Sequence, residues 1–321
     1  MKTHLITGAA GFIGSALSNK ILSSGDNVIG IDNFLLGNID SIKLLKNKYP
    51  NFSFIEFDLS IETEVHNLIK KLSIFKFDIV WHLAANSDIR GYENGLKVDF
   101  NNTFMTTINI GMIMESLGID EIVFSSSSAV IGNADIAIAE NYGPSLPNSY
   151  YGSMKLASEG YLSSLTSYFL KKYTIVRFPN VIGPETTHGV IYDFVNKLKN
   201  KPEILNVLGD GNQKKPYLYV DDVVDGLIYF QNKDFEQRVI NLSPQDEGIT
   251  VKEIADECIK QLSPSTKPKY QETEYGWFGD VPRYSYNYEK MLDLGYIPKY
   301  SSHEALIKVI EEIKKNKFNY R

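Results

Sequence analysis

HLITGAAGFIGSAL, residues 4–17, runs from a short β-rich segment through three evenly spaced glycines into a helical pattern. A strand that ends in a glycine turn and opens straight into a helix leaves several backbone N–H groups converging on one point. That point is the positive end of the helix, where an anion is favoured. Glycine permits the tight turn, the close approach of backbone to a pyrophosphate, and close packing of helix on sheet. The spacing is Gly8-x-x-Gly11-x-x-Gly14, with Phe12 and Ile13 between the last two glycines, rather than the more familiar Gly-x-Gly-x-x-Gly. A glycine triplet alone also describes a turn that binds nothing, so its neighbours decide.

The next β-rich run, NVIGID (27–32), ends at Asp32, 18 residues beyond Gly14. A carboxylate there accepts hydrogen bonds from the adenosine ribose of a dinucleotide and repels a 2′-phosphate. No Arg or Lys follows before Lys43, which points to NAD over NADP. The Asp32-Asn33 pair can also be read simply as a turn former. Further predicted strands are 52–57, 77–83, 121–126 and 173–178; helical patterns cover Ser15–Leu22, Glu62–Leu72, Asp99–Leu117 and Tyr151–Lys172. Strands alternating with helices predict a parallel sheet covered on both faces, and near-continuous apolar strands agree. The fold class is α/β: a doubly wound parallel sheet (Rossmann) with a smaller, discontinuous C-terminal substrate lobe. Beyond residue 180 the pattern loosens into Gly-, Pro- and polar-rich stretches such as GPETTHGV and LGDGNQKKP, although 217–230 reads as strand then helix. The expected division is 1–180 plus 217–240 for the dinucleotide domain and 181–216 plus 241–321 for the substrate lobe. A Ser301–Glu304 box predicts the start of a final amphipathic helix.

Composition narrows the function classes. The chain has 321 residues, 43% apolar and 22% charged, with a net charge of −6. The balance argues against a nucleic-acid surface. Cys258 is the single cysteine and the five histidines are scattered, so no internal disulfide and no metal site are expected. No run of 18 or more apolar residues suggests a membrane span. The N-terminal stretch loosely resembles a signal peptide, but the glycines break its would-be apolar core, and a cytoplasmic protein is expected.

Phe124-Ser125-Ser126-Ser127-Ser128-Ala129 carries a predicted strand into its C-terminal loop, where open α/β sheets bind ligands. Any one of these serines could merely satisfy loop backbone groups. On the next predicted helix, Tyr151 and Lys155 are four apart and share a face, whereas Tyr150 points elsewhere. Taken alone, a Tyr–Lys pair at that spacing is an ordinary helix pair. With the glycine turn and Asp32, the serine, tyrosine and lysine converge where a nicotinamide would lie.

These segments resemble the extended short-chain dehydrogenase/reductase family, and within it the NAD-dependent nucleotide-sugar epimerases and dehydratases, with the nearest likeness to UDP-glucose 4-epimerase-like enzymes. The resemblance spans nearly the whole chain: TGAAGFIG, IDNFLLGN, FDL, HLAAN, FSSSSAVIG, YGSMKLASE, RFPNVIGP, LGDGNQKKPYLYVDD and GDVPRYSYNYEKMLDLGYIP. It implies Ser127, Tyr151 and Lys155 as the catalytic group. It implies NAD contacts from Gly8, Gly11, Phe12, Ile13, Gly14, Asp32 and Asn33, from Asp58 and Leu59 near adenine, from Ala84 and Ala85 along the cofactor, and from Lys155 at the nicotinamide ribose. Substrate contacts are implied for Ser127, Asn180, Lys215 and Arg283. The chain departs from the family at three places. Ile131 replaces a usual tyrosine, Lys215 stands for an arginine and weakens bidentate phosphate recognition, and an arginine near Gly276-Trp277 is missing, with Arg283 as a substitute.

The chemistry expected is removal of a sugar C4 hydroxyl proton by Tyr151 while the hydride passes to NAD, then return of the hydride to the other face of the 4-keto sugar. Tyrosine has a pKa of about 10, so only about 0.1% is phenolate at neutral pH. Lys155 and the positive nicotinamide are expected to lower it. Three alternatives stand beside the 4-epimerase: a 4,6-dehydratase, for which Ser128-Ala129 lacks an acidic pair; a sugar dehydrogenase or 4-keto reductase; and a non-catalytic NAD-responsive binding protein. The resemblance also implies a homodimer, and Phe100–Leu117 carries apolar residues on more than one face.

Overall fold

The computed structural model describes residues 1–87, 95–134, 136–234, 239–273, 281 and 283–315. The chain divides into two compact units. One comprises Met1–Val130, Leu146–Arg177 and Leu227–Ile240; the other comprises Ile131–Ser145, Phe178–Gly226 and Asn241–Arg321.

Seven strands form the main sheet, numbered here in chain order: β1 (Thr3–Thr7), β2 (Asn27–Asp32), β3 (Phe52–Glu56), β4 (Ile79–His82), β5 (Glu121–Ser127), β6 (Lys172–Phe178) and β11 (Val239–Asn241). Their spatial order is β11-β6-β5-β4-β1-β2-β3. The β1–β2, β2–β3, β1–β4 and β4–β5 ladders are parallel. The strand order reverses between β1 and β4, and a doubly wound sheet opens its ligand crevice beyond the strand ends at that point. The helices of this unit include α1 (Phe12–Ser23), α2 (Ile39–Lys48), α3 (Val65–Leu72), α4 (Leu96–Asp99), α5 (Thr106–Leu117) and α6 (Tyr150–Leu165). Leu5, Ile31, Leu68, Val80, Ile110, Ile113, Phe124 and Leu162 are buried in one core cluster between sheet and helices. Strand-period and helix-period apolar positions meet there, as the sequence pattern requires.

Three local differences from the sequence reading have physical causes. Helix α1 begins at Phe12, three residues before the predicted Ser15, because Gly11 already serves as its N-cap and accepts the Ser15 amide. The predicted helix Asp99–Leu117 is not uniform: Phe100–Met105 is π-helical between α4 and α5. The wider turn holds more residues than an α turn and so shifts the helical phase: Phe100 is exposed, whereas Ile110, Ile113 and Met114 are buried. Two apolar faces on one segment follow. Helix α6 ends at Leu165 rather than Lys172, since the Leu165 carbonyl accepts the amides of Tyr168, Phe169 and Leu170 in a tight stop that leads into β6.

Among the described residues, the second unit has three two-stranded sheets. These pair β7 (Asn180–Ile182) with β10 (Tyr217–Tyr219), β8 (Ile204–Asn206) with β13 (Lys267–Lys269), and β9 (Lys214–Lys215) with β12 (Ile249–Thr250). The remaining helices are α7 (Val190–Asn200), α8 (Val220–Gln231), α9 (Val251–Leu262), α10 (Glu289–Asp293) and α11 (Ser302–Lys315). Buried Phe194, Leu198, Ile254, Leu306 and Ile310 supply their apolar faces. Thr250 and Glu253 form a reciprocal cap for α9, and Ser301 and Glu304 bond reciprocally at the start of α11. Among the described residues, no helix is long and apolar enough to cross a membrane.

Candidate active site

The glycine turn is built by exclusion of side chains. Gly8 has φ +69°, and a Cβ there would lie 2.8 Å from the Ala84 amide nitrogen. A Cβ on Gly14 would lie 2.0 Å from the Gly8 carbonyl oxygen, while one on Gly11 would sit 3.1 Å from the same oxygen. The turn therefore closes on itself and on the segment after β4, leaving Phe12 and Ile13 to open α1. With the turn drawn tight against the first residues of α1, backbone amides gather at the helix start, where an anion is favoured, so the residues fit a dinucleotide cradle. Asp32 ends β2 and holds the turn in place, with Oδ2 accepting the Ala10 amide (3.0 Å) and Oδ1 the Phe34 amide (2.7 Å). This aspartate therefore forms an Asx turn at the end of β2. Burial raises its carboxyl above the usual range, against the amide bonds that pull it down. Asn33 accepts the Leu35 amide. No cation lies between Asp32 and Lys43.

Asp58 caps its own turn by accepting the Ser60 amide, and the Leu59 carbonyl accepts Asn109 Nδ2 at 2.7 Å. Ala84 and Ala85 follow β4, where the Ala84 amide donates to Thr7 Oγ1. Gly8, Asp32, Asp58 and Ala84 thus stand at or just beyond the ends of β1, β2, β3 and β4.

A second group gathers at the end of β5. Ser149 caps α6 by accepting the Gly152 amide. The helix then presents Tyr151, while its neighbour Tyr150 is 47% exposed. Gly152 lets the helix touch the serine loop: a Cβ there would lie 2.2 Å from the Ala129 carbonyl oxygen. The approach sets the Ser127 hydroxyl beside the Tyr151 phenol, where it favours the charged form of that group. Ser127 Oγ already accepts the Ala129 amide (3.2 Å), so its single hydrogen is left for the phenol oxygen. Lys155 is 2% exposed, donates to the Ser125 carbonyl at 2.6 Å, and lies 4.6 Å from the Phe124 ring centre and 5.9 Å from that of Tyr151. Sequence-predicted Ser127, Tyr151 and Lys155 are therefore brought together.

Their acidities differ from the sequence expectation. Burial pushes the Tyr151 phenol up to about 12; the Ser127 hydrogen bond opposes this and the Asp99 carboxylate adds to it. Burial brings the Lys155 ammonium down to about 7, with Glu159 pulling it back up. Both groups lose water, and that outweighs the help of Ser127 to one and of Glu159 to the other.

In the second unit, Asn180 begins β7 and pairs with Tyr217, two residues after Lys215. Lys215 pairs with Ile249, and Lys214 forms a parallel bridge to exposed Arg283. The segment 214–217 thus ties together Asn180, Lys215 and Arg283, three of the four predicted substrate residues. Gly276 and Trp277 lie outside the described residues.

Several participants escaped the sequence reading. Asp99 is buried, accepts Asn86 Nδ2 at 2.8 Å and acts electrostatically on Tyr151. Its place in a helical pattern gave no hint. Glu159, one turn beyond Lys155, receives both Nε (2.9 Å) and NH2 (2.6 Å) of Arg177, and also the Ser126 hydroxyl. The i, i+4 spacing of Lys155 and Glu159 was a signal available in the sequence.

The profile of the NAD dependent epimerase/dehydratase family matches residues 4–243. A putative UDP-glucose 4-epimerase of Methanocaldococcus jannaschii is 30% identical over 318 residues, 97% of this chain and 98% of that protein. The dTDP-D-glucose 4,6-dehydratase of Mus musculus is 25% identical over 331 residues, 100% of this chain and 91% of that protein. Among solved structures, the UDP-glucuronic acid 4-epimerase of Bacillus cereus, in complex with UDP-glucuronic acid and NAD, superposes with a TM-score of 0.84 at 25% identity, covering 98% of this chain and 99% of that one. With a profile match over most of its length and a glycine turn, strand order and Ser–Tyr–Lys corner that agree with it, this chain is a member of the NAD-dependent epimerase/dehydratase family.

Proposed function

We propose that the protein is a nucleotide-sugar 4-epimerase acting on UDP-hexoses, such as UDP-glucose and UDP-galactose or their N-acetyl forms. The observation that carries this reading is the Ser127–Tyr151 contact beside a fully buried Lys155. Gly8, Gly11, Phe12, Ile13 and Gly14 would hold the NAD pyrophosphate, Asp32 and Asn33 the adenosine ribose, Asp58 and Leu59 the adenine, Ala84 and Ala85 the length of the cofactor, and Lys155 the nicotinamide ribose. Bound NAD supplies a hydride acceptor that gives the hydride back within one catalytic cycle.

Tyr151 takes the proton of the C4 hydroxyl, and Ser127 donates to the same phenol oxygen, which steadies the charge that develops there. A phenol held near 12 is a poor base at neutral pH. The positive nicotinamide ring and a protonated Lys155 would have to lower it, so the base would become effective when the cofactor is bound. A 4-keto sugar that turns over before reduction emerges inverted at C4, with no net redox change. Asn180, Lys215 and Arg283 are assigned to the sugar diphosphate. The dehydratase reading, favoured by the mouse relative, lacks a carboxylate pair at Ser128-Ala129 to remove the C5 proton and protonate a departing C6 hydroxyl.

Incubation of the purified protein with UDP-sugars and no added NAD tests the proposal. Interconversion of C4 epimers supports it. Loss of water would assign the dehydratase instead, and dependence on stoichiometric cofactor would assign a dehydrogenase or reductase. Binding of NAD with no turnover of any nucleotide sugar would leave a binding protein. We also propose a homodimer. Phe100 and Phe104 form a row of rings with Tyr161, which packs at the edge of the main core cluster, at centroid distances of 6.0 and 6.4 Å, and Phe100 is exposed. Sedimentation showing only monomer at micromolar concentration would remove that part.

A further inference from the structure

A line of buried side chains joins the end of β1, which carries the glycine turn, to the helix that carries Tyr151 and Lys155. The Ala84 amide donates to Thr7 Oγ1 at 3.2 Å, and Thr7 Oγ1 lies 2.7 Å from His82 Nδ1. His82 Nε2 lies 3.0 Å from Thr107 Oγ1, which lies 2.9 Å from Ser158 Oγ on α6. Thr7, His82, Thr107 and Ser158 are all 0% exposed.

Counting hydrogens fixes the direction of this line. Thr107 and Ser158 also bond the carbonyls of Thr103 and Met154, four residues back, and a carbonyl only accepts. Each hydroxyl has one hydrogen. If Thr107 donates to Thr103, Ser158 must donate to Thr107; if Ser158 donates to Met154, Thr107 must donate to Ser158. The Thr7 hydrogen decides the remaining choice: it is used only if Nδ1 accepts it, which puts the ring proton on Nε2 and makes Nε2 the donor to Thr107. Nδ1 then accepts the Thr7 hydrogen, and Thr7 accepts the Ala84 amide. A neutral, Nε2-protonated imidazole is the state that uses every hydrogen. Burial agrees, holding the imidazole far below its ordinary value, at about 3, with the Lys155 charge adding to the effect. A second link runs through the main chain: Ser125 Oγ donates to the His82 carbonyl at 3.2 Å, and the Ser125 carbonyl receives Lys155.

We propose that His82 is a positioning residue that locks the dinucleotide cradle at the end of β1 in register with the catalytic helix α6, through Thr7 on one side and Thr107–Ser158 on the other. The proposal rests on the epimerase reading only for its kinetic consequence. His82 touches none of the atoms assigned to chemistry. Its role is to keep Gly8 and Ala84 at a fixed offset from Tyr151 and Lys155, and small offsets between reacting groups cost rate far more than affinity.

Thr107→Val cuts the line while preserving side-chain volume, and Thr107→Ser keeps the hydroxyl while losing a methyl. His82→Phe removes both ends at once. Each variant is compared with wild type for the NAD dissociation constant, the melting temperature and the single-turnover rate of bound-NAD reduction on mixing with UDP-glucose or UDP-N-acetylglucosamine. The expected result is that Thr107→Val binds NAD normally and folds, yet reduces it on the order of 10-fold or more slowly, with Thr107→Ser restoring most of the rate. A wild-type rate in Thr107→Val overturns the proposal. So does Thr107→Ser being as slow as Thr107→Val, which would mark a packing role. The ¹⁵N spectrum of the His82 ring, read without any substrate, should show one Nε2–H tautomer that does not titrate between about pH 5 and about pH 8, with its Nε2 resonance displaced in Thr107→Val. Titration in that range, the other tautomer or an unmoved resonance overturns the wiring. If wild type reduces no bound NAD with either sugar, the functional reading fails, and the spectrum alone decides the line.

Discussion

The glycine turn and the Ser127–Tyr151–Lys155 corner follow neighbouring parts of one sheet, and they are built on opposite principles. The turn works by leaving side chains out: at Gly8 and Gly14 a methyl group would collide with backbone. The corner works by burying polar side chains that would prefer water, one of them a lysine brought down to about 7. The first is a steric requirement, local in sequence and tolerant of almost nothing at its glycines. The second is an electrostatic requirement assembled from two separated segments, the end of β5 and the helix α6. The difference teaches where each should fail: damage to the turn ought to show in cofactor affinity, damage to the corner in rate.

The largest expected effect tests that division directly. Tyr151→Phe should lower turnover of UDP-sugars by about 10²–10⁴-fold, the range for a lost general acid–base group, while NAD binding measured by titration stays near wild type. Full turnover would end the assignment of the base. Next, Gly14→Ala should weaken NAD binding and destabilise the fold by about 1–3 kcal/mol, as forced overpacking does. Gly152→Ala, with its own 2.2 Å collision, should instead reduce kcat with NAD affinity retained. A Gly152→Ala variant that loses NAD and keeps its rate would erase the contrast.

Stability against pH sharpens the comparison further. The folded value of His82, about 3, lies below its ordinary 6.5. Between those values the unfolded chain takes up a proton that the folded chain refuses, so stability falls as pH drops through this window. One such group contributes a slope of up to about 1.4 kcal/mol per pH unit. His82→Phe should flatten that acid limb in urea titrations at a series of pH values. An unchanged limb would mean the ring is not held neutral. The smallest effect concerns the helix start: Ser149→Ala should cost about 1 kcal/mol through loss of the cap, visible as a lowered melting temperature with the catalytic rate nearly kept.

The same contrast explains what could be read from sequence. The doubly wound sheet was legible because strand-length apolar runs alternate with amphipathic helices, and the turn because glycine spacing, strand end and Asp32 lie within a short span. Tyr151 was separable from Tyr150 by helical phase alone. Element limits blurred where a backbone detail carries no residue-type signal, such as the π-helical turn at Phe100–Met105 or the stop at Leu165. The acidities of Tyr151 and Lys155 were not legible, because depth of burial is a property of the packed whole. His82 looked like one scattered histidine, since its partners Thr7 and Thr107 are 75 and 25 residues away.

Beneath the corner, the Glu159–Arg177 pair is almost wholly sealed from water, with both side chains 7% exposed. Opposite charges locked away together tolerate joint replacement far better than single loss, which strands its partner at a cost of about 3–5 kcal/mol. Changing Glu159 alone would take the carboxylate away from a buried guanidinium and from Lys155 one turn back; changing Arg177 alone would take the guanidinium away from a buried carboxylate. Any re-engineering of this corner must therefore exchange the two residues in a single step, because each halfway sequence is worse than either endpoint.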